Sequence, residues 1–288
     1  MSTEIKMKIA VISTGRTRCT LLAKYLQTEH DDLEFCREFY NGSRDEDGNV
    51  MDPGGAGVPN QELESMDNLT EQLFAKENFI VKIISITLQK VPNLDPSVYK
   101  LEEYDQIHLV ERHDFFEQCC SWEVSLSQGI FHLPSDIMPG HTERMKRFEA
   151  LKKRKFRMSA ARIEDSADSV NCYLKIKKYI TDNNLEYTLH TYESAKQFDK
   201  KQNELVDPGL NYRELISNYH LKEEVNAVFN KYISYDNMTC DIPSFNKELG
   251  DITGFRSIES FVNNMAAKWN KKKFSMVART GSDPASLP

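Results

Sequence analysis

The sequence predicts an α/β protein in which a central parallel sheet is flanked by helices. Short apolar runs of strand length recur along the chain and alternate with segments whose apolar residues have helical spacing. The first run ends at a Thr-Gly turn that leads directly into a helical pattern, as in the first half of a βαβ unit. Because neither a repeat nor a clear linker divides the 288 residues, we predict a single domain over residues 1–277 and a disordered tail over 278–288.

Four apolar runs are predicted to form the strands of this sheet. They bear few charges, which is typical of strands that are buried on both faces. In chain order the runs are KIAVIS at 8–13, FIVKII at 79–84, QIHLV at 106–110 and YTLHT at 187–191.

The segments between and after these runs are predicted to be helices and one long loop. The clearest helix covers residues 159–183, with Ser159 as its N-cap and Asn183 at its end. Residues 41–60 are rich in Gly, Asp, Asn and Pro and are predicted to be a loop, which we hypothesise closes over a bound acceptor. The other predicted helices are at 20–27, 68–76, 114–128, 215–232 and 258–269.

Charge and composition exclude several classes of protein. The net charge is −7, from 37 basic and 44 acidic residues, which is unlike a general nucleic-acid binder. No apolar run approaches the roughly 20 residues of a membrane span, and the N-terminus lacks the form of a signal peptide, so we expect a cytoplasmic protein. The six cysteines form no CxxC pair and fit no zinc site, so we expect reduced thiols and no metal.

The loop after the first strand, TGRTRCT from Thr14 to Thr20, predicts an anion site. Glycine permits a tight turn, and the N–H groups at the start of the next helix point towards a bound anion. Arg16 and Arg18 add planar cationic groups that suit phosphate or sulfate oxygens. The loop of nucleoside triphosphatases needs G-x-x-x-x-G-K-[ST], but here the sixth position from Gly15 is Thr20 and no lysine follows it.

The stretch TGRTRCTLL resembles the 5′-phosphosulfate loop of sulfotransferases that use 3′-phosphoadenosine 5′-phosphosulfate (PAPS). That family commonly reads Arg-Ser-Gly-Ser/Thr-Thr-Leu-Leu after its first strand. Arg16, Thr17, Cys19 and Thr20 match this pattern, whereas Arg18 stands where the family has Gly. The resemblance implies a P-loop-type sulfotransferase fold.

A second stretch, HLVERHDFFEQCCSWEVSLSQG, is similar to the family's 3′-phosphate segment. That segment is a strand, then an arginine, then a helix with a serine eight residues after the arginine. The alignment places Ser121 at the serine and His113 at the arginine position, with Arg112 one residue earlier. Either Arg112 or His113 is therefore expected to bind the 3′-phosphate.

Two further stretches extend the resemblance to about residue 200. CREFYN is similar to the Glu-Tyr-Phe region of bacterial carbohydrate sulfotransferases of the trehalose 2-sulfotransferase type, which implies that Glu38 is the catalytic base. EYTLHTYES resembles the late strand of the family and places Tyr192 at the cofactor. His108 is a competing base, but its position within an apolar strand favours a buried, hydrogen-bonded histidine.

The resemblance implies transfer of a sulfuryl group from PAPS to a hydroxyl of a carbohydrate or other small acceptor, without a metal. The product would be adenosine 3′,5′-bisphosphate. A non-catalytic binding protein with the same fold and a small-molecule kinase remain alternatives. The implied catalytic residues are Glu38 and Arg16, and the implied cofactor-binding residues are Gly15, Arg16, Thr17, Arg18, Cys19, Thr20, Arg112, His113, Ser121 and Tyr192.

Overall fold

The structure is a computed structural model of the chain. It describes residues 6–30, 32–36, 40, 43–44, 50–51, 63–85, 95–128, 150–192, 194 and 210–253. Several predictions lie outside these residues: the catalytic Glu38, the helix at 258–269, the tail at 278–288 and most of the loop at 41–60. Within that loop two short strands, β3 (Ser43–Arg44) and β4 (Val50–Met51), pair antiparallel.

A parallel sheet forms the centre of the molecule, as predicted, and it has five strands, one more than the four that were predicted. Its strands are β1 (Lys8–Ser13), β2 (Glu34–Phe35), β5 (Phe79–Ile84), β6 (Gln106–Glu111) and β7 (Thr188–Thr191). They lie in the order β2-β5-β1-β6-β7, and every neighbouring pair is parallel. A separate antiparallel pair is formed by β8 (Ile233–Ser234) and β9 (Thr239–Cys240).

Helices cover both faces of the sheet. Helix α1 is Cys19–Glu29, α2 is Leu63–Phe74, α3 is Phe115–Gln128 and α4 is Ala160–Asp182. Helix α5 is the short Tyr212–Leu215, α6 is Lys222–Tyr232 and α7 is Ile242–Thr253. Single 3₁₀ turns are formed by Pro96–Tyr99, Leu101–Glu103 and Tyr219–Leu221.

The alternation of side chains along the strands divides the core between the two faces. On β1, Ile9 and Val11 pack with the buried residues of α1, whereas Ala10 and Ile12 belong to the larger cluster formed with α2, α3, α4, α6 and α7. Helices α1 and α3 therefore lie on opposite faces. The strand order also reverses at β1, since the chain first forms β2 and β5 on one side of β1 and then β6 and β7 on the other. Ligands of open α/β sheets bind at such a switch point, beyond the carboxyl ends of the strands.

The predicted helix at 215–232 is wrong in its first part. Residues 216–221 leave the helical path between α5 and α6 because Ile216 forms a parallel bridge with Phe156. The side chain of Asn218 also exchanges hydrogen bonds with the backbone of Met158, at 2.9 and 3.1 Å. Tertiary pairing overrides the local periodicity here. Helix α7 was missed by the sequence reading, which assigned no element to that stretch.

None of the helices in the described ranges is long and apolar enough to cross a membrane. The six cysteines are free thiols, as predicted. The predicted N-cap of helix α4 is confirmed, because the Ser159 side chain accepts a hydrogen bond from the N–H of Arg162 at 3.2 Å.

His108 on β6 is a buried histidine with hydrogen-bonding partners, as its apolar surroundings predicted. Its Nδ1 lies 3.0 Å from Nε2 of His190 on β7, and its Nε2 lies 3.1 Å from Oε1 of Gln106. Burial, together with the neighbouring His190, lowers the pKa of His108 from 6.5 to about 4. Burial also lowers the pKa of His190. Both rings are thus neutral at neutral pH.

Acidification is expected to destabilise the protein through this pair. The unfolded chain takes up protons below the ordinary histidine pKa of 6.5, whereas folded His108 does so only near 4. Stability is therefore lost as the pH falls from about 6.5 to 4, by at most about 1.4 kcal/mol per pH unit for one proton. Urea unfolding between pH 7 and 4 measures this slope. His108→Gln should make the slope shallower, and an unchanged slope in that variant would contradict the assignment.

Candidate functional site

The loop that joins β1 to α1 has an unusual backbone. Gly15, Arg16 and Arg18 all have positive φ angles, of 80°, 56° and 64°. A Cβ on Gly15 would lie 2.7 Å from Cζ2 of Trp122 on α3, so both the backbone angle and the available space require glycine. The loop is therefore tightly turned and packed against α3.

Helix α3 binds this loop through two polar side chains. Gln118 donates from Nε2 to the hydroxyl of Thr14 and, at 2.8 Å, to the carbonyl oxygen of Gly15. Arg16 donates from Nε to Oγ of Ser121 at 2.8 Å. Two of the four stretches that carry the sequence resemblance, the loop and the stretch that begins at His108, thus lie in direct contact.

The start of α1 has the character of an anion site. The first N–H groups of a helix have no intrahelical acceptor, and Arg18 at the N-cap forms no capping hydrogen bond through its side chain. The Thr17 side chain is fully buried, and its hydroxyl has no hydrogen-bond partner among the described residues. Unsatisfied donors of this kind attract an oxyanion.

Arg112 follows β6 and lies against the loop. Its side chain is only 2% exposed. Nη1 donates to the carbonyl oxygen of Arg16 at 3.2 Å, and Nη2 pairs with Oε2 of Glu117 at 3.2 Å. Its Nε has no hydrogen-bond partner in the part of the chain that is described. The guanidinium carbon also lies 3.9 Å from the centre of the Tyr192 ring, so that Tyr192 covers this cation.

His113, the alternative 3′-phosphate residue, lies in a different environment. Its side chain is 53% exposed, and Nε2 is 3.8 Å from Oε2 of the buried Glu111. The ring also packs edge-on against Tyr235. Both residues have a carboxylate neighbour, but Arg112 also contacts the loop directly, through the Arg16 carbonyl oxygen.

Arg18 adopts a backbone conformation that is uncommon for residues other than glycine. Its φ of 64° is the left-handed conformation that glycine adopts without strain. The guanidinium carbon of Arg18 lies 4.5 Å from the centre of the Tyr192 ring. Tyr192 therefore contacts both Arg18 and Arg112.

We expect Arg18→Gly to be more stable than Arg18→Ala by about 1 kcal/mol. Both variants lose the contact with Tyr192, but alanine retains the left-handed strain, which costs roughly 1–2 kcal/mol and exceeds the entropy that glycine gains on unfolding. Chemical denaturation of the two variants provides the comparison. Equal stability would show that residue 18 is not held in the left-handed conformation in solution.

Lys82 is a site residue that sequence reasoning missed. It is the charged residue in the apolar strand β5, its side chain is 2% exposed, and its Nζ donates to Oγ1 of Thr20 in the first turn of α1 at 2.6 Å. The loop of a triphosphatase supplies a lysine at the start of its helix. Here a lysine from the neighbouring strand β5 reaches the corresponding position. The available signal was the single lysine within FIVKII.

A buried ion pair supports the end of β6. Oε1 of Glu111 accepts hydrogen bonds from Nζ of Lys177 at 2.9 Å and from the hydroxyl of Tyr173 at 3.0 Å, both on α4. Lys177 also donates to the carbonyl oxygen of Tyr235 at 3.0 Å. The backbone of Glu111 accepts from the N–H of Tyr192 at 2.7 Å. These contacts fix the chain immediately before Arg112 and beside Tyr192.

The cysteines near the site pack in the core. Cys19 is 4% exposed and belongs to the cluster of α1, and Cys119 and Cys120 are fully buried on α3. Burial raises the pKa of Cys119 to about 12 and that of Cys120 further, so both remain protonated thiols. Within the described ranges no group of three or more His, Cys, Asp or Glu side chains could hold a metal ion.

No protein-family model matches the sequence, and no curated protein is significantly similar to it. The loop between β1 and α1 carries two cations, and two more lie against it. These cations are Arg16, Arg18, Lys82 and Arg112.

Proposed function

We propose that this chain is a sulfotransferase of the P-loop type, which moves a sulfuryl group from PAPS to a hydroxyl of a carbohydrate or other small acceptor. One observation carries the proposal: four cations lie in or directly against the loop between β1 and α1, whose helix start has no side-chain cap, at the switch point of a parallel sheet. The sequence pattern of the loop favours a phosphosulfate over a triphosphate.

The residues of the loop suit a ligand with two separate anionic groups. Among the described residues, the Thr17 hydroxyl and Nε of Arg112 have no hydrogen-bond partner, and both can donate; Thr17 lies in the loop before α1 and Arg112 directly after β6. Residues 15–20 with Lys82 would hold the 5′-phosphosulfate. Arg112, with Ser121 on the adjoining helix, would hold the 3′-phosphate, and Tyr192 would lie beside it.

The ligand supplies an activated sulfuryl group, and the chain supplies fixed charge. Negative charge develops on the leaving phosphate during transfer, so cations that are already in place stabilise the transition state. Ser121 fixes the orientation of Arg16, and Thr20 fixes that of Lys82, before any ligand binds. Glu38 is proposed to take the proton of the acceptor hydroxyl.

A small-molecule kinase is a second candidate, and Lys82 is the observation that favours it. Its position at the first turn of α1 is one from which a lysine can also reach the phosphates of ATP. Phosphoryl transfer uses Mg²⁺ to bridge phosphate oxygens. The two candidates therefore differ in whether the reaction needs Mg²⁺ and in whether the nucleotide that binds carries a 3′-phosphate.

Thermal unfolding with nucleotides tests the proposal. Adenosine 3′,5′-bisphosphate should raise the melting temperature without Mg²⁺, since ligand at 100 times its Kd adds about 2.7 kcal/mol of stability. Adenosine 5′-monophosphate, which lacks the 3′-phosphate, should stabilise the protein less. Stabilisation by Mg-ATP alone would support the kinase, and no shift with millimolar bisphosphate would overturn the proposal. Binding without turnover on a broad panel of acceptors would instead favour a binding protein.

A further inference from the structure

We propose that the C-terminal part of the chain positions the anion-binding Arg112, with Tyr219 and Lys222 as the positioning residues. The inference rests on the proposed function, in which Arg112 binds the 3′-phosphate. Neither residue contacts Arg112 in the structure; both act through Glu117 on α3. No part of the sequence resemblance extends to this region.

Glu117 lies between Arg112 and the C-terminal part of the chain. One carboxylate oxygen, Oε2, pairs with Nη2 of Arg112 at 3.2 Å. The other oxygen, Oε1, accepts a hydrogen bond from the hydroxyl of Tyr219 and lies 3.5 Å from Nζ of Lys222. Because each oxygen has its own partner, the carboxylate is held in one orientation and offers only one oxygen to Arg112.

That orientation leaves a donor of the buried guanidinium unpaired among the described residues. Arg112 uses Nη1 on the Arg16 carbonyl and Nη2 on Glu117, and its Nε has no hydrogen-bond partner among the described residues. Without the Tyr219 hydroxyl, the carboxylate of Glu117 is free to turn and engage Arg112 with both oxygens. A guanidinium paired in that bidentate way offers fewer donors to a phosphate.

Lys222 balances the charge around Arg112. Its Nζ pairs with Oδ2 of Asp114 at 2.5 Å as well as with Glu117, so two carboxylates face two cations at the start of α3. Burial opposes the charge of Lys222, but its bonds to Asp114 raise the pKa of the ammonium above its usual range. Removing Lys222 would leave two carboxylates against one cation, and the excess negative charge would oppose a bound anion.

Asn226 connects α6 to the start of α3. Its Oδ1 accepts a hydrogen bond from the N–H of Phe116 at 2.8 Å, and its Nδ2 donates to Oδ1 of Asp114 at 3.1 Å. Helix α6 is thereby fixed to the first turn of α3, so Tyr219 and Lys222 keep a constant position relative to Glu117. With the Lys222–Asp114 ion pair, these two hydrogen bonds make three contacts between α6 and the start of α3.

The chain offers matched controls for the test. Tyr232 and Lys231 pair with Glu248 through the same chemical groups, a phenol and an ammonium on one carboxylate. Isothermal titration with adenosine 3′,5′-bisphosphate and with adenosine 5′-monophosphate would compare Tyr219→Phe and Lys222→Met with Tyr232→Phe and Lys231→Met. We expect the first two variants to lose about 10-fold in affinity for the bisphosphate, the size of an indirect coupling, and little for the monophosphate. The controls should lose neither.

A double variant separates positioning from general loosening of the fold. In an Arg112→Met background, Tyr219→Phe should cause no further loss of affinity, because the residue that it positions is gone. Equal losses for both nucleotides, equal losses in the controls, or a full additional loss in the double variant would overturn the inference while the proposed function stood. A wild-type chain that binds neither nucleotide would overturn both.

Discussion

Lys82→Met is expected to lower the turnover number about 100- to 1,000-fold, the usual cost of removing one fixed donor to a charge that develops in the transition state. The affinity for adenosine 3′,5′-bisphosphate should fall less, because the product does not carry the charge distribution of the transition state. Transfer of labelled sulfuryl from PAPS, measured together with product binding, separates the two effects.

The reason lies in how Lys82 is held. It projects from β5 towards the face covered by α1, between Ile80 and Ile84 in the alternation of the strand, and its amine is fixed on Thr20. Methionine keeps the length and the apolar stem of lysine, so the fold is expected to tolerate the change.

Lys76 provides the control for Lys82. It lies just before β5, and its Nζ pairs with Glu34 at 2.7 Å on the surface. Lys76→Met removes an ammonium from the same part of the chain without touching the loop, so its turnover should stay near that of the wild type. Similar losses in both variants, or none in Lys82→Met, would contradict a role for Lys82 in catalysis.

The sequence predicted most of the sheet because each of these strands is marked by its own residues, without reference to distant parts of the chain. β1 and β5 have the predicted bounds, since each is an apolar run that ends at a turn or a polar stretch. The tight turn at the start of the loop after β1 was also predictable, because Gly15 permits the positive φ and the close packing that the structure has there. Pattern alone therefore predicted the frame of the sheet except for the short β2, and it marked the loop that is the candidate anion site.

The support of the site could not be read from the sequence in the same way. Lys82 is recognisable in the sequence as a lysine within an apolar strand. Only the packing of α1 against that side of β5 brings its amine to Thr20. Glu117 and Tyr219 are far apart along the chain, and the break at Ile216 that places Tyr219 depends on a bridge to Phe156. Contacts between distant segments depend on tertiary packing, which periodicity does not report.

Lys177→Met is expected to give the largest loss of stability, about 3–5 kcal/mol, because it leaves one member of a buried ion pair without its partner. The side chains of Lys177 and Glu111 are 6% and 1% exposed, and their charges lie 2.9 Å apart. Tyr173 would still donate to the stranded carboxylate, but a neutral hydroxyl does not balance a buried charge. Urea unfolding at neutral pH measures the loss.

The double variant Glu111→Gln/Lys177→Met distinguishes a stranded charge from lost packing. Glutamine keeps the shape of Glu111 without its charge, and replacing both members of a buried pair by neutral groups is often close to neutral for stability. We therefore expect the double variant to recover most of the stability that Lys177→Met loses. If both variants are equally unstable, the role of Lys177 lies in its packing and in its bond to the Tyr235 carbonyl oxygen. Because Glu111 directly precedes Arg112 and binds Tyr192 through its backbone, recovery of the fold should also restore nucleotide binding.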